Sequence, residues 1–217
     1  MSILTSIIDF VLHIDIHLGE IIAEYGLLSY AILFIIIFSE TGLVVTPFLP
    51  GDSLLFAAGA FSAIGSFNIF VLLALLWFSA FLGDTVNYLV GKYLGAKIIA
   101  NPRIPINQNH IDKTQRFYDK HGGKTIFLAR FVPIVRTFAP FVAVVGKMDY
   151  GKFVYFNVIG GFVWVFGFTL LGYFFGNVPF VKDNFSLVIF AIIFLSILPI
   201  VVEYVRSKTK VAMPLRN

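Results

Sequence analysis

Four ionisable residues lie in segments that are otherwise greasy. Glu40 and Asp52 bound the stretch E-T-G-L-V-V-T-P-F-L-P-G-D, between apolar runs at 27–38 and 54–64. Arg130 and Arg136 lie in K-T-I-F-L-A-R-F-V-P-I-V-R-T-F-A-P-F-V-A-V-V-G-K, residues 124–147. Arginine suits anions that present several oxygens, because its planar fork donates parallel hydrogen bonds and keeps its charge. Carboxylates take up and release protons, which arginine cannot do. Together they suit an anionic substrate moved in exchange with, or alongside, a proton. The competing reading is neutralisation alone, with two acids and two arginines tying the structure together. A charge at bilayer depth costs on the order of 2.5–3.5 kcal/mol, so such residues point to function by default. A buried ion-pair cluster also stabilises no better than apolar packing in many proteins.

The depth argument rests on composition. The chain has 217 residues, 59% hydrophobic and only 13% charged. Soluble domains carry about 25% charged residues, so this is the composition of an integral membrane protein. Its length fits one transmembrane domain over 1–217. None of the sixteen Lys and Arg precedes Lys92, whereas seven of the twelve acids do. A basic excess can indicate nucleic acid, but this split reads as topology, with basic segments on the cytoplasmic side. Cysteine is absent, which excludes disulfides and thiolate metal sites. The N-terminus lacks a signal peptide's basic start, and Asp9, His13 and Asp15 interrupt its apolar run.

The positioning elements follow from length and breaks. Asp9, His13, His17, Glu20 and Glu24 fall on a helical stripe about 80° wide, which predicts a surface or interfacial helix over 4–24. Two His four residues apart could ligate a metal, but a solvated face is the plainer meaning, and no metal or cofactor is expected. Residues 27–46 and 53–64, broken at Pro47 and Pro50, are each too short or too polar for a normal span of ~20 residues. They predict a re-entrant hairpin, with its irregular backbone covered by protein. Residues 67–90 form a clean span, with Asp84, Asn87, Tyr88 and Gly91 on an inward face. A cytoplasmic loop covers 92–124 and carries a surface helix at 107–121. Residues 124–147 have a span's length but hold Arg130, Pro133, Arg136 and Pro140, which predicts a second broken hairpin. Clean spans follow at 153–175, with Gly160, Gly161, Gly167 and Gly172 for close packing, and at 186–202. A basic cytoplasmic tail occupies 203–217.

The sum is an all-α membrane protein with an inverted repeat, about 4–90 and 107–175. Two facing re-entrant helical hairpins enter from opposite sides. Interrupted segments at corresponding positions of inverted repeats mark a transporter's midplane site. Helix N-termini after Gly51, Pro133 and Pro140 would add amide donors for an anion. Asp84 reads as a packing polar group or a relay residue, Trp164 and Tyr155 as packing, and Tyr150 and Tyr173 as interfacial anchors. Gly123-Lys124-Thr125 imitates a phosphate-binding loop, but Tyr118 stands where its first glycine is required. No His lies in the apolar segments, and His110 and His121 read as solvated. The chain is therefore not expected to be an enzyme. The oligomeric state stays open, since Gly172-x-x-x-Gly176 serves internal packing as readily as a dimer.

Three stretches, residues 40–52, F-L-G-D-T-V-N-Y-L-V-G-K-Y-L-G at 81–95, and F-L-A-R-F-V-P-I-V-R-T-F-A-P-F-V-A-V-V-G at 127–146, resemble the DedA family of bacterial membrane proteins. That family carries a SNARE-associated, VTT-type domain. The resemblance implies two facing re-entrant hairpins and a multi-pass protein of the bacterial inner membrane. It implies roles in envelope maintenance, the proton motive force and resistance to cationic peptides. Members are similar to translocases that recycle undecaprenyl phosphate, and eukaryotic relatives to lipid scramblases. The family's essential acids map onto Glu40 and Asp52, and its essential arginines onto Arg130 and Arg136.

The expected activity is proton-coupled transport of an anionic lipid, foremost a polyprenyl phosphate. Arg130 and Arg136 would hold the headgroup, and Glu40 and Asp52 would carry the proton. Asp84, Pro50, Gly51, Pro133, Thr137 and Pro140 would support them. The expected partners are membrane lipid and protons, without nucleic acid. The rivals are a small-cation/H⁺ antiporter with the arginines as counter-ions, a scramblase, and an envelope-assembly factor whose charges are architectural.

Overall fold

The computed structural model describes residues 14–43, 51–99, 108–145, 148–185, 187, 188, 191, 192 and 194. The first part of the 4–24 helix, the hairpin tip with Pro47 and Pro50, most of the 186–202 span and the 203–217 tail lie outside these. Among the described residues the architecture is all helical, without strands.

Helix α1 covers Ile14–Tyr25 and ends at Gly26, whose φ of 53° is a left-handed conformation that glycine adopts without a steric penalty. Two short apolar helices follow, α2 at Leu28–Gly42 and α3 at Gly51–Ala63. At 1.5 Å per residue they reach about 22 and 20 Å, short of the ~30 Å hydrocarbon core. Helix α2 stops where Leu43 turns extended. Helix α3 begins directly after Pro50, with Asp52 in its first turn, where the helix dipole favours a negative charge.

Among the described residues, two helices are long and apolar enough to cross a membrane. Helix α4 spans Ile69–Ile99, and its apolar part runs Ile69–Gly95. Asn68 caps it, its Oδ1 accepting from the amides of Phe70 and Val71 at 3.0 and 3.3 Å. Helix α4 thus continues past Lys92, where the sequence predicted a loop. The other long helix follows three shorter elements. Helix α5 covers Gln108–His121, close to the predicted 107–121. A 3₁₀ turn at Gly122–Lys124 leads into α6, Thr125–Ala129. The chain turns at 130–132, and α7 runs Pro133–Val145. Helix α8, Tyr150–Phe175, is the second long apolar helix. The Asp149 carboxylate caps it by accepting from the amides of Gly151 and Lys152. Short α9, Pro179–Asp183, has proline in its first turn, where its missing N–H costs nothing.

One detail of residues 124–147 departs from expectation. The break falls at 130–132, before Pro133, whose fixed φ suits a first helical residue. Pro140 lies inside α7 and starts no helix, so it offers no new N-terminus for an anion. It cannot donate to the Arg136 carbonyl four residues back.

The packing is reciprocal. Helix α2 lies on α4 and α6 on α8, while α3 lies on α8 and α7 on α4. Ser79 Oγ donates to the Phe34 carbonyl at 2.7 Å across the α4–α2 contact. Tyr118 Oη donates to the Ala139 carbonyl at 3.0 Å, fastening α5 to α7, and burial pushes this phenol well above its ordinary pKa. Two apolar clusters result. One gathers Leu33, Ile37, Leu54, Leu72, Leu76 and Trp164. The other gathers Tyr88, Ile126, Phe138, Phe141, Val142 and Phe153. Of the four glycines predicted for close packing on α8, Gly167 has open space beside it. Gly172 is tight, since a Cβ there would collide with the Phe56 carbonyl, and one on Gly59 would collide with that of Thr169. The α3–α8 seam is therefore backbone against backbone.

Candidate functional site: a buried charge cluster

The four sequence-predicted charges gather in two linked sets. Arg136 reaches both acids that flank the break between α2 and α3. Its Nη1 donates to Asp52 Oδ1 at 3.0 Å, and its Nη2 pairs with Glu40 Oε1. Arg130 turns instead to the long helices. Its Nη2 donates to Asp84 Oδ2 at 2.5 Å and to Asn157 Oδ1 at 2.7 Å. Asp84 is thus a full ion-pair partner of an arginine, beyond either role read for it in sequence.

Each position follows from local structure. Glu40 is carried in the last turn of α2 and Asp52 in the first turn of α3. The break thus brings two acids, twelve residues apart in sequence, onto one guanidinium. Arg130 sits at the second break and Arg136 in the first turn of α7. Glu40, Asp84 and Arg130 are buried. Arg136 and Asp52 are somewhat more open, with 10% and 16% of their side chains exposed, so the cluster is most open at Asp52. Gly51 presses on Glu40, and a Cβ there would overlap the carboxylate. Gly160 and Gly161 make room for Arg130, whose Cδ and Nε would lie 3.2 Å from a Cβ on Gly160. Thr137 and Pro140 are buried on α7; Pro133 begins that helix, and Pro50 lies outside the described residues.

Two side chains complete the cluster that the sequence reading left out of it. Trp164 donates from Nε1 to Asp52 Oδ1 at 2.7 Å. Its ring lies 5.6 Å from the Arg130 guanidinium carbon and 5.2 Å from that of Arg136, within cation–π range of both. Asn157 holds Arg130 and donates to the Phe81 carbonyl at 3.1 Å. A signal for both was present. Asn157, Gly160, Gly161 and Trp164 fall at i, i+3, i+4 and i+7, one helical face, as do Asp84, Asn87, Tyr88 and Gly91 on α4. Asn87 joins α2 to α7, its Nδ2 donating to the carbonyls of Thr41 at 3.1 Å and Thr137 at 3.0 Å. Tyr155, read as packing, is 61% exposed.

The arrangement leaves unused hydrogen-bonding capacity in a buried place. Arg130 Nε and Nη1 and Glu40 Oε2 have no hydrogen-bond partner among the described residues. Buried polar atoms are nearly always paired, so these three atoms carry hydrogen-bonding capacity that a ligand or water could take up. Two guanidinium N–H groups can hold an oxyanion, and a carboxylate oxygen can accept a proton. Trp164 should hold the geometry. Trp164→Phe is expected to keep most of the cation–π contact but lose the bond to Asp52, a loss of about 1–3 kcal/mol for a bond to a charged group. Trp164→Leu is expected to lose both. Thermal unfolding in detergent checks the order: wild type, then Phe, then Leu.

The VTT domain family matches residues 49–174. The chain is 55% identical over 215 residues to Protein DedA of Escherichia coli, covering 98% of each chain. It is 44% identical over 177 residues to an uncharacterized membrane protein of Mycobacterium tuberculosis, covering 80% of this chain and 78% of that one. It is 34% identical over 151 residues to the inner membrane protein YqjA of Escherichia coli, covering 69% of each. No solved structure matches the chain. A VTT domain over more than half the sequence and near full-length similarity to Protein DedA make this chain a member of the DedA family of membrane proteins.

Proposed function

We propose that this protein is a proton-coupled transporter that carries a polyprenyl phosphate across the bacterial inner membrane, undecaprenyl phosphate being the foremost candidate. The observation that carries this reading is that Arg130 Nε and Nη1 have no hydrogen-bond partner among the described residues and lie beside a set of three carboxylates. Arg130, buried, supplies the unused N–H groups for the anion. Arg136, occupied by Glu40 and Asp52, becomes available when those acids take up protons.

Formal charge gives the coupling its direction. Glu40, Asp52 and Asp84 against Arg130 and Arg136 leave the ionised cluster one negative charge in excess, which repels phosphate. One bound proton makes it neutral, and a second makes it cationic. An anion is therefore best accepted together with protons, as in symport, because each charge in a low-dielectric interior must be matched.

The proposed architecture is a multi-pass inverted repeat with re-entrant hairpins and a cytoplasmic C-terminus. It is supported by the length of α2 and α3 and by the reciprocal packing, in which each hairpin puts one limb on its own long helix and one on the other's. The saturation of Arg136 by two acids supports a second reading, a small-cation/H⁺ antiporter in which the arginines are counter-ions.

Flux in proteoliposomes separates the two. Arg130→Ala is expected to reduce proton-driven undecaprenyl phosphate movement by two orders of magnitude or more, about 3 kcal/mol for a charged group that holds the headgroup. Lipid flux equal to wild type in this variant would overturn the assignment. Proton-driven cation flux without lipid would favour the antiporter.

A further inference from the structure

We propose that a cleft at the other end of α3 and α8 captures the headgroup of a phosphate-bearing membrane lipid, with Lys182 as the cation that holds it. The cleft has a volume of about 270 Å³. Ile16, Phe61, Ile64 and Phe185 give it apolar walls, and Asn177 and Lys182 stand at its polar side. It lies where α1, α3, α8 and α9 meet, at the end of α8 opposite Lys152.

Three observations point to an anionic amphiphile as occupant. Lys182 is the only Lys or Arg between Lys152 and Arg206, and none precedes Lys92. A lone cation thus stands on the side that the charge bias otherwise keeps free of them. It is exposed, and the ion pairs among the described residues do not include it. The surroundings are apolar and outward-facing: Phe180 is 71% exposed, Phe174 65% and Ile64 61%. A water-soluble anion has no use for such walls, whereas a lipid tail does. Asn177 Nδ2 is already engaged, donating to the Ala60 carbonyl at 2.9 Å and closing α8 onto the end of α3. The charge for a headgroup therefore comes from Lys182.

The cleft is separate from the buried charge cluster. Ala60 lies eight residues along α3 from Asp52, and Gly176 twelve along α8 from Trp164, or roughly 12 and 18 Å of helix. Between them runs the tight seam of Gly59 on Thr169 and Gly172 on Phe56. As a loading position on a transport path the cleft rests on the function proposed above. As a lipid site it stands on its own residues.

Native mass spectrometry of the full chain tests it, with dioleoyl phosphatidic acid as the probe and dioleoyl phosphatidylcholine as the comparison. Wild type is expected to retain phosphatidic acid preferentially. Lys182→Glu is expected to lose about fivefold or more of that retention, the scale of one Lys at an anionic lipid surface. Lys182→Arg should keep it, as should Lys152→Glu at the basic end. Retention unchanged in Lys182→Glu, or lost equally in Lys152→Glu, overturns the proposal, and so does displacement of the lipid by inorganic phosphate alone. Lys182-dependent retention in a protein without lipid flux upholds the cleft and removes the transport reading. Flux with Lys182-independent retention does the reverse.

Discussion

Replacing Arg136 by alanine is expected to destabilise the protein by about 3–5 kcal/mol and, on the transport function proposed above, to abolish flux. Arg136 neutralises two carboxylates at once, Glu40 and Asp52. Taking away one partner of a buried pair leaves an uncompensated charge, which costs more than the pair contributed. Here two acids lose their shared counter-charge, while the Trp164 bond to Asp52 remains. Stability and activity then separate in a way that an architectural role would not produce. Adding Glu40→Gln and Asp52→Asn to Arg136→Ala removes the stranded charges, and thermal unfolding should recover much of the loss. On the function proposed above, transport should stay absent, because Arg130 remains but its partner arginine and both proposed proton carriers are gone. Recovery of flux together with stability would reduce the cluster to a structural fastening.

The second large effect is expected far from any charge. Gly172→Ala puts a methyl group against the Phe56 carbonyl. Backbone cannot yield as a side-chain tip can, so α3 and α8 must part, at about 1–3 kcal/mol for an overpacked contact. Asp52 rides on α3 and Trp164 on α8, so parting the helices also stretches the 2.7 Å bond between them. Flux should fall with stability, and Trp164 fluorescence should shift as its surroundings loosen. Gly167→Ala is the matched control. No described residue lies within 4 Å of a Cβ there, and alanine is the better helix former by about 1 kcal/mol. Its unfolding temperature should hold or rise. Equal losses in both variants would show that the seam has no special role.

The other consequence of the cluster concerns how it can open. Asn87 ties the Thr41 carbonyl at the end of α2 to that of Thr137 in α7. The two broken segments are thus joined by one neutral amide as well as by ion pairs. Protonation of the acids would release the ion pairs while leaving the amide in place, so motion of one segment is passed to the other.

Much of this site was legible from residue types alone. Glu40, Asp52, Arg130 and Arg136 are anomalies of solvation. A charge in an apolar segment is costly wherever the helices finally sit, so composition and position were enough to single them out. The breaks near Pro50 and Pro133 were legible for the same local reason, since proline limits the backbone around it. The limits of the two long helices were less so: α4 continues past Lys92, because a helix end depends on capping and packing as well as on charge.

Partner choice was the tertiary structure's decision. Nothing in the spacing of four charges says that Arg136 takes both acids while Arg130 turns to Asp84 and Asn157. Nor does it say that Trp164 lies beneath both guanidiniums. Those pairings depend on α3 lying on α8 and α7 on α4, contacts between residues as many as 112 positions apart. Solvation cost belongs to a residue and its neighbours in the chain, and can be read there. The choice of counter-charge depends on how helices cross, and exists only in the folded chain.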